Sequence, residues 1–295
     1  MIVLTTPTGN IGRLVLDRLL AAGAPVRVIV RDPARLPDAV RGRVETVRGS
    51  HGDPDVVTEA FTGADSVFWL VPPDPRAATM EDAYVGFSRP AAAALTARGV
   101  KRVVAVSSLG RGTPQAAHAG HITASLAMDD LLASTGVHYR ALALPSFMDN
   151  VLRQTALIRD RGLFTSPNSP THRAPTCAIT DIAAKAARLL LDGSWSGVED
   201  VQVLGPEDLS YEDMARIMSE VLGRPVRYQQ IPGAEFKARM TGFGMSDAVA
   251  QGLVDMAEAK DAGLYDTARR TPETGSSTSF RQWCEDVLKP AVLAG

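Results

Sequence analysis

The stretch Ile2-Val3-Leu4-Thr5-Thr6-Pro7-Thr8-Gly9-Asn10-Ile11-Gly12 opens the chain and decides the fold. Residues 2–5 are apolar or β-branched, which predicts a short strand that is buried on both faces. Residues 10–22 carry apolar side chains at helical spacing, and Gly23 follows as a stop signal, so a helix is predicted there. The chain therefore begins with a strand, a glycine-bearing turn and a helix.

The turn has the pattern of a dinucleotide-binding loop. Gly9 would let the backbone approach a pyrophosphate, and Gly12 would let the helix pack closely on the sheet. Free N–H groups near Asn10 and Ile11 can hold phosphate oxygens. Thr6 stands where the usual Gly-x-x-Gly-x-x-Gly spacing begins, which weakens the motif but keeps its two central glycines.

The rest of the first half alternates between strands and helices. Strands are predicted at residues 26–30, 44–48, 66–71, 102–107 and 139–144, and helices at 33–40, 54–61, 79–98 and 120–134. This alternation is typical of a Rossmann-type, doubly wound α/β fold with a parallel sheet, here over residues 1–150.

The second half, residues 151–295, is predicted to be a smaller, mostly helical substrate lobe with some segments returning to the sheet. Its helices are predicted at residues 151–161, 181–191, 211–222, 234–240, 247–262 and 279–288, and its strands at 201–204 and 226–230.

Composition excludes several classes of protein. The 295 residues are 45% hydrophobic and 22% charged, and the net charge of −2 gives no electrostatic case for nucleic acid or an anionic membrane. Cys177 and Cys284 form no Cys-x-x-Cys pair, so neither a disulfide framework nor a zinc site is expected. With no signal peptide or spanning segment recognised, we expect a metal-free cytoplasmic protein.

The end of the second predicted strand bears on the choice of nucleotide. Arg31 stands where NAD-selective proteins usually place an acidic residue, and its guanidinium suits a 2′-phosphate. Arg35 lies one helical turn further on, whereas the acidic residue Asp32 favours NAD as the cofactor. NADP is therefore the preferred cofactor, with NAD as the alternative.

Several stretches resemble the NmrA-like family of atypical short-chain dehydrogenase/reductases. They are Thr8-Gly9-Asn10-Ile11-Gly12, Val28-Ile29-Val30-Arg31-Asp32-Pro33, Gly63-Ala64-Asp65-Ser66-Val67-Phe68, Phe147-Met148-Asp149-Asn150, Thr180-Asp181-Ile182-Ala183, Leu204-Gly205-Pro206-Glu207, Leu222-Gly223-Arg224-Pro225-Val226 and Ser279-Phe280-Arg281-Gln282-Trp283. The similarity covers almost the whole chain and implies a bound NAD(P) cofactor.

The resemblance also implies a set of contacts. The pyrophosphate would contact Thr6, Thr8, Gly9, Asn10 and Ile11, and the adenosine end would contact Arg31. The ribose and nicotinamide would be lined by Val71, Pro72, Ser107 and Ser108. Pro145, Ser146 and Phe147 would border the nicotinamide from the other side. A small apolar or aromatic substrate would then contact Phe147 and Asn150.

The chain departs from that family at the catalytic positions. Short-chain dehydrogenases use Tyr-x-x-x-Lys, but counting back from Phe147 puts these positions at His121 and Ser125. His121 is the candidate proton donor or orienting group, because imidazole can give or take a proton near neutral pH. His118, expected one helical turn away on the same face, is a candidate substrate contact.

Other residues are assigned structural roles. His51 is predicted to be a surface loop residue and Trp69 to be core. Methionines at 148, 240, 245 and 256 fill the core or line an adaptable apolar pocket.

Three functions remain open. The first is an NAD(P)H-dependent oxidoreductase acting on a quinone or an aromatic polyketide-like compound, since electron-poor acceptors need little help from a proton donor. The second is a redox sensor that binds NAD(P) without turnover and changes its affinity for a protein partner. The third is a biosynthetic tailoring enzyme that works with an oxygenase. A homodimer is possible in each case.

Overall fold

The structure, a computed structural model, describes residues 1–294. The strands are β1 (Ile2–Leu4), β2 (Val26–Val30), β3 (Glu45–Arg48), β4 (Ser66–Trp69), β5 (Arg102–Ser108), β6 (His138–Leu144), β7 (Ser146–Phe147), β8 (Leu163–Ser166), β9 (Ala174–Cys177), β10 (Val198–Gln202), β11 (Asp208–Leu209) and β12 (Arg227–Gln230). The α-helices are α1 (Asn10–Ala21), α2 (Asp38–Arg41), α3 (Pro54–Phe61), α4 (Phe87–Arg98), α5 (His121–Ala133), α6 (Thr155–Arg161), α7 (Ile179–Leu191), α8 (Tyr211–Leu222), α9 (Gly233–Gly242), α10 (Asp247–Asp261), α11 (Phe280–Trp283) and α12 (Lys289–Leu293).

The central sheet has seven strands in the order β3-β2-β1-β4-β5-β6-β10, and every neighbouring pair is parallel. Helices α1 and α7 pack together on one face, while α3, α4 and α5 pack in series on the other. The inner strands β1, β2, β4, β5 and β6 are largely buried on both faces, as their apolar runs predicted, whereas the edge strands β3 and β10 are mostly exposed. The doubly wound α/β fold is therefore confirmed, and its strand order reverses between β1 and β4, where such folds bind ligands.

The second half returns to the sheet through one helix and one strand. Helix α7 packs against α1, and β10 adds to the sheet beside β6. The strand expected at residues 201–204 lies earlier, at Val198–Gln202. The remaining segments build a smaller lobe around a second core that includes Phe280 and Trp283.

Of the short strands in this lobe, β12 was predicted, at residues 226–230, whereas β7, β8, β9 and β11 were not. Strands β7, β9 and β11 form one small sheet, and β8 pairs with β12 in another. They have two to four residues each, which is too short for an alternating pattern to stand out in the sequence.

The helix predicted at residues 79–98 is continuous but not uniform. Residues Asp82–Gly86 form a π-helical segment before α4. Pro90 lies inside α4 and has no N–H with which to bond the carbonyl of Gly86, so the regular ladder is interrupted there. No helix within residues 1–294 combines the length and apolar character needed to cross a bilayer.

Candidate cofactor and substrate cleft

A cleft of about 1110 Å³ lies over the carboxyl ends of the sheet strands and is covered by the second lobe. It is lined by all but one of the residues predicted for cofactor, catalysis and substrate: Thr6, Thr8, Gly9, Asn10, Ile11, Arg31, Val71, Pro72, Ser107, Ser108, His121, Pro145, Phe147 and Asn150. The exception is His118.

The loop between β1 and α1 has a glycine-like backbone at a residue that is not glycine. Thr6 has a φ of 52°, the left-handed conformation that glycine usually supplies. Its carbonyl accepts a 2.9 Å hydrogen bond from the Gly9 N–H, which closes the turn. Thr6 therefore takes the role of the motif's missing first glycine.

The same loop fits a phosphate group. Helix α1 has no side-chain N-cap, so the N–H groups of its first turn point out of the helix without an internal partner. The Thr6 hydroxyl is buried and makes no hydrogen bond within residues 1–294. A pyrophosphate placed here would satisfy donors that otherwise stay unsatisfied.

The adenosine end of the cleft carries two guanidinium groups. Arg31 and Arg35 line it and are exposed, and neither forms an ion pair within residues 1–294. The carboxylate of Asp32 accepts a 3.1 Å hydrogen bond from the Ala34 N–H and so caps the short 3₁₀ helix Pro33–Arg35. The acidic side chain is thus engaged locally, whereas the basic ones are free to bind a ligand.

His51 is buried, so the prediction that it is a surface residue was wrong. Its Nε2 lies 3.0 Å from the carbonyl oxygen of Leu70, and its ring packs edge-on against Trp69 and Phe87. Burial, with a smaller effect from the nearby charge of Arg31, lowers the pKa of His51 to about 4. It therefore forms a neutral wall of the cleft. Trp69 is core, as predicted.

Ser107 contributes less to the cleft than its position suggests. Its hydroxyl donates to the buried carboxylate of Asp129, which also accepts a 2.7 Å hydrogen bond from the Tyr139 hydroxyl. Burial raises the pKa of Asp129 to about 7. Because the Ser107 hydroxyl is turned into the core, only the remainder of this residue faces the cleft.

His118 and His121 do not share a helical face, contrary to the prediction. His118 is exposed at the end of the 3₁₀ helix Pro114–His118, whereas α5 begins at His121. Gly120 separates them with a φ of 53°, and a Cβ atom there would lie 2.1 Å from the carbonyl oxygen of Gly252. The close approach of α10 forces this break, which leaves His118 outside the cleft.

His121 is bound by protein groups at both ring nitrogens. Its Nε2 lies 3.2 Å from the carbonyl oxygen of Val249, which can only accept, so the proton is assigned to Nε2. Nδ1 is then the acceptor for the Tyr84 hydroxyl at 3.3 Å. Burial lowers the pKa of His121, and the charge of Lys260 adds to this effect. The imidazole is therefore neutral and saturated, and it links α5 to α10.

Helix α10 and the turn before it form the apolar wall opposite the sheet. The cleft is lined here by residues spaced three or four apart on one helical face: Met245, Val249, Leu253, Met256 and Lys260. Of the other methionines, Met148 is buried in the lobe's core and Met240 is not among the lining residues.

Three polar residues at the nicotinamide end were only partly foreseen. The Lys260 Nζ donates a 3.1 Å hydrogen bond to the hydroxyl of Ser146, and Tyr265 lines the same part of the cleft. Ser146 was expected beside the nicotinamide, but Lys260 and Tyr265 were missed because they lie more than a hundred residues further along the chain. A lysine in a chain with 5 Lys and 26 Arg was the available signal.

Metal chemistry finds no support in the side-chain arrangement. Within residues 1–294, His, Cys, Asp and Glu side chains form no group of three or more that could hold a metal ion. Cys177 and Cys284 are both free and buried.

Comparison with known proteins identifies the family. A family model described as NAD(P)H-binding matches residues 7–192, well over half of the chain. The chain belongs to the NAD(P)H-binding family. The NAD(P)-binding family character and the dinucleotide cofactor that the sequence predicted are thereby confirmed.

Other members of this NAD(P)H-binding family are reductases. The chain is 31% identical over 290 residues to a (4-alkanoyl-5-oxo-2,5-dihydrofuran-3-yl)methyl phosphate reductase from Streptomyces griseus subsp. griseus, covering 96% of each chain. It is 29% identical to an NAD(P)H azoreductase from Xenophilus azovorans, covering 87% of this chain and 86% of that one. The expectation of an NAD(P)H-dependent oxidoreductase is confirmed at the level of the family.

A solved structure shows the same fold. The NADPH-dependent quinone oxidoreductase from Escherichia coli, complexed with NADPH, superposes with a TM-score of 0.74 at 21% identity, covering 96% of this chain and 98% of that one.

Proposed function

We propose that this protein is an NADPH-dependent reductase of flat, conjugated substrates, with quinones and aromatic polyketide-like compounds as the substrate class. The observation that carries the proposal is one continuous cleft, which has a phosphate-binding loop at one end and an apolar wall from α10 at the other. A dinucleotide and a second, apolar molecule would lie end to end in such a cleft.

The preference for NADPH rests on the adenosine end. Arg31 and Arg35 face the cleft without a carboxylate partner in the described chain, and Asp32 is engaged with Ala34. A 2′-phosphate would accept charge-assisted hydrogen bonds from these guanidinium groups. When bound, NADPH supplies a hydride at the nicotinamide end, where Pro145, Ser146 and Phe147 line the cleft.

The substrate class rests on the other end. Met245, Leu253 and Met256 present an apolar, adaptable surface opposite Phe147. The positions of the usual tyrosine and lysine, His121 and Ser125, line the cleft but offer neither a phenol nor an ammonium group. Electron-poor acceptors such as quinones, azo compounds or conjugated enones depend least on that pair. The names of the azoreductase and quinone oxidoreductase relatives support this class.

In this proposal His121 orients rather than reacts. Its bonds to Tyr84 and Val249 hold α10 over the cleft, which excludes water and fixes the apolar wall. Asn150, on the rim of the cleft, and Phe147 contact the substrate.

The test is a titration of the protein with NADPH and NADH, followed by fluorescence and by absorbance of the reduced nicotinamide. The acceptors are a simple quinone, a conjugated enone, an azo dye and an unactivated ketone. Tight NADPH binding with quinone-dependent oxidation, and little oxidation by the ketone, is the expected result. Faster turnover of the ketone than of the quinone would contradict the substrate class.

A redox sensor remains the second candidate, because His121 is saturated and Ser125 cannot replace a lysine. Binding of NADPH without consumption by any acceptor would favour it. A tailoring reductase beside an oxygenase would use the same cleft as the proposed reductase. Genomic neighbours and a test of pathway intermediates would distinguish the tailoring role.

A further inference from the structure

Lys260 is a cation on the cleft wall without a counter-charge. Its Nζ donates to the Ser146 hydroxyl at 3.1 Å, and it forms no ion pair within residues 1–294. The neighbouring Asp261 is directed elsewhere: one carboxylate oxygen accepts from the Asn168 side chain at 3.1 Å, the other from the Ser169 N–H at 2.7 Å. Successive side chains on a helix point about 100° apart, which explains why the two do not meet.

An unpaired ammonium group in this position is costly to the fold. Removing an ammonium from water without a paired charge is unfavourable, and lysine side chains usually extend outward to avoid this cost. Here the chain extends inward to Ser146, and desolvation lowers the pKa of Lys260 to about 8, against a small opposing effect of Asp261. Such an arrangement is stabilised when a ligand brings negative charge to Nζ.

The cofactor's pyrophosphate is too far away to be that ligand. Ser146 follows β6, while the phosphate loop follows β1, and the order β1-β4-β5-β6 places three strand spacings between them. At about 4.8 Å per spacing, the two sites are about 14 Å apart. A ligand charge that stabilises Lys260 would therefore come from a molecule in the apolar end of the cleft.

We propose that Lys260 is the catalytic proton donor to the substrate oxygen, with Ser146 holding its ammonium group in place. The proposal rests on the proposed reductase function. It assigns the general acid to Lys260, because His121, at the usual tyrosine position, has no free proton to donate. Lys260 reaches the site from α10, which packs against α5.

The step balances in atoms and electrons. The hydride would come from a C–H bond of the reduced nicotinamide, which would be oxidised as the substrate is reduced. The substrate carbon forms a new C–H bond, and its displaced π-electron pair moves onto the conjugated oxygen. One N–H bond of Lys260 breaks, an O–H bond forms at that oxygen, and the lysine is left as a neutral amine. Water returns the proton to Nζ after the product leaves.

Few other groups titrate around Nζ. His121 faces it from α5 and is neutral, since burial lowers the pKa of its imidazole. Tyr265, from the turn after α10, is buried, which raises the pKa of its phenol. Ser146 stays neutral and Asp261 is held by Asn168 and Ser169. A pH dependence near 8 is therefore expected from Lys260 itself.

The kinetic test uses Lys260→Met and Lys260→Arg, with Lys289→Met as the control because Lys289 is exposed on α12. We expect the wild-type rate to fall as the pH rises through about 8, where Lys260 loses its proton. This decrease in rate near pH 8 should be absent from both Lys260 variants. With an enone, Lys260→Met should lower kcat about 100-fold, the usual contribution of a general acid, and with a quinone distinctly less. If Lys260 had a purely structural role, its replacement would lower kcat equally for the enone and for the quinone.

A second measurement does not need turnover. A nitrophenol bound in the cleft mimics the anionic substrate oxygen, and its absorbance reports its own ionisation. We expect wild type and Lys289→Met to raise the ionisation constant of the bound nitrophenol about tenfold, and Lys260→Met not to raise it. Circular dichroism checks the folding of each variant, and Lys260→Gln is the substitute if the methionine variant does not fold.

The outcomes separate the two proposals. The assignment of Lys260 would be overturned if the Lys260 variants kept the wild-type kcat, the wild-type fall in rate near pH 8 and the wild-type ionisation of bound nitrophenol. The reductase function would then still stand. If no acceptor oxidises NADPH, the reductase function fails and the nitrophenol measurement alone decides. If the ionisation of bound nitrophenol then depends on Lys260, Lys260 forms an oxyanion site. If it does not depend on Lys260, the assignment of Lys260 is overturned.

Discussion

The carbonyl oxygen of Thr6 lies 2.0 Å from the point that a Cβ atom on Gly12 would occupy. The Thr6 carbonyl carbon lies 2.8 Å from the same point, so the obstacle is backbone that cannot swing away. Helix α1 thus approaches the loop only because residue 12 has no side chain, and the position of the phosphate-binding N–H groups depends on this contact.

Gly12→Ala should therefore displace the loop. We expect NADPH binding to weaken by more than about tenfold and the free energy of unfolding to fall by about 2 kcal/mol, as for an overpacked core site. Fluorescence titration and urea unfolding measure these effects. Gly42→Ala is the control, because a Cβ atom there meets nothing within 4 Å. If Gly12→Ala binds NADPH as wild type does, the loop is not the pyrophosphate site.

Thr6→Gly should raise the free energy of unfolding by about 1 kcal/mol, because a β-branched residue with a φ of 52° is strained and glycine is not. Urea unfolding measures the change. Thr8→Gly is the matched control: Thr8 has no positive φ, so its replacement should destabilise the protein. A loss of stability in Thr6→Gly would show that the contacts of the threonine side chain outweigh the strain.

Arg31→Ala should reduce the preference for NADPH over NADH. Losing one charge-assisted hydrogen bond to the 2′-phosphate corresponds to about tenfold in Kd. NADH binding should change little. The ratio of the two dissociation constants is the measurement, with Arg41→Ala, a residue outside the cleft lining, as the control. An equal loss of affinity for NADPH and NADH would show that Arg31 contacts a part of the cofactor that both nucleotides share.

His121→Gln tests whether the imidazole orients or donates. Glutamine can still donate to the Val249 carbonyl and accept from Tyr84, so kcat should stay within about threefold of wild type, far from the effect of losing a general acid. His121→Phe keeps the ring but loses both bonds, and it should lower the melting temperature. A hundredfold loss of kcat in His121→Gln, together with an altered pH profile, would make His121 the proton donor.

His51 should make the protein sensitive to acid. Its pKa is lowered from 6.5 to about 4 in the folded state, so the unfolded chain binds a proton first as the pH falls. Stability present above pH 6.5 is lost progressively down to about pH 4, by about 3 kcal/mol in total. Urea unfolding at several pH values should show this loss in wild type and in the exposed-site control His118→Gln, but not in His51→Gln. Parallel pH dependences in all three would contradict it.

The sequence predicted the sheet well because its strands are short apolar runs between clear stops. Val26–Val30 and Pro54–Phe61 were predicted residue for residue, the latter because Asp53 caps the helix and Pro54 starts it. The cleft-lining residues of the loop followed from its glycine pattern, and those at the strand ends followed from the resemblance to the NmrA-like family.

Two of the failures, at His118 and at Lys260, have a common physical cause, which is packing by α10. The break at Gly120 is imposed by the backbone of Gly252, and the sequence around His118 and His121 carries no sign of it. Lys260 follows Glu258 and precedes Asp261, which is the usual composition of a solvent-facing helix end. Only tertiary structure turns its side chain toward Ser146.

The wall formed by α10 also bears on how members of this family diverge. Residues 245–260 supply an apolar surface and the ammonium group from one uninterrupted piece of chain, whereas the residues predicted to contact the nucleotide lie at the strand ends and at the start of α1. Selection on acceptor chemistry can therefore act on a single exchangeable segment while the nucleotide site stays untouched. Exchanging the cleft-facing residues of this segment for those of an azo-reducing relative is a direct route to a new acceptor range.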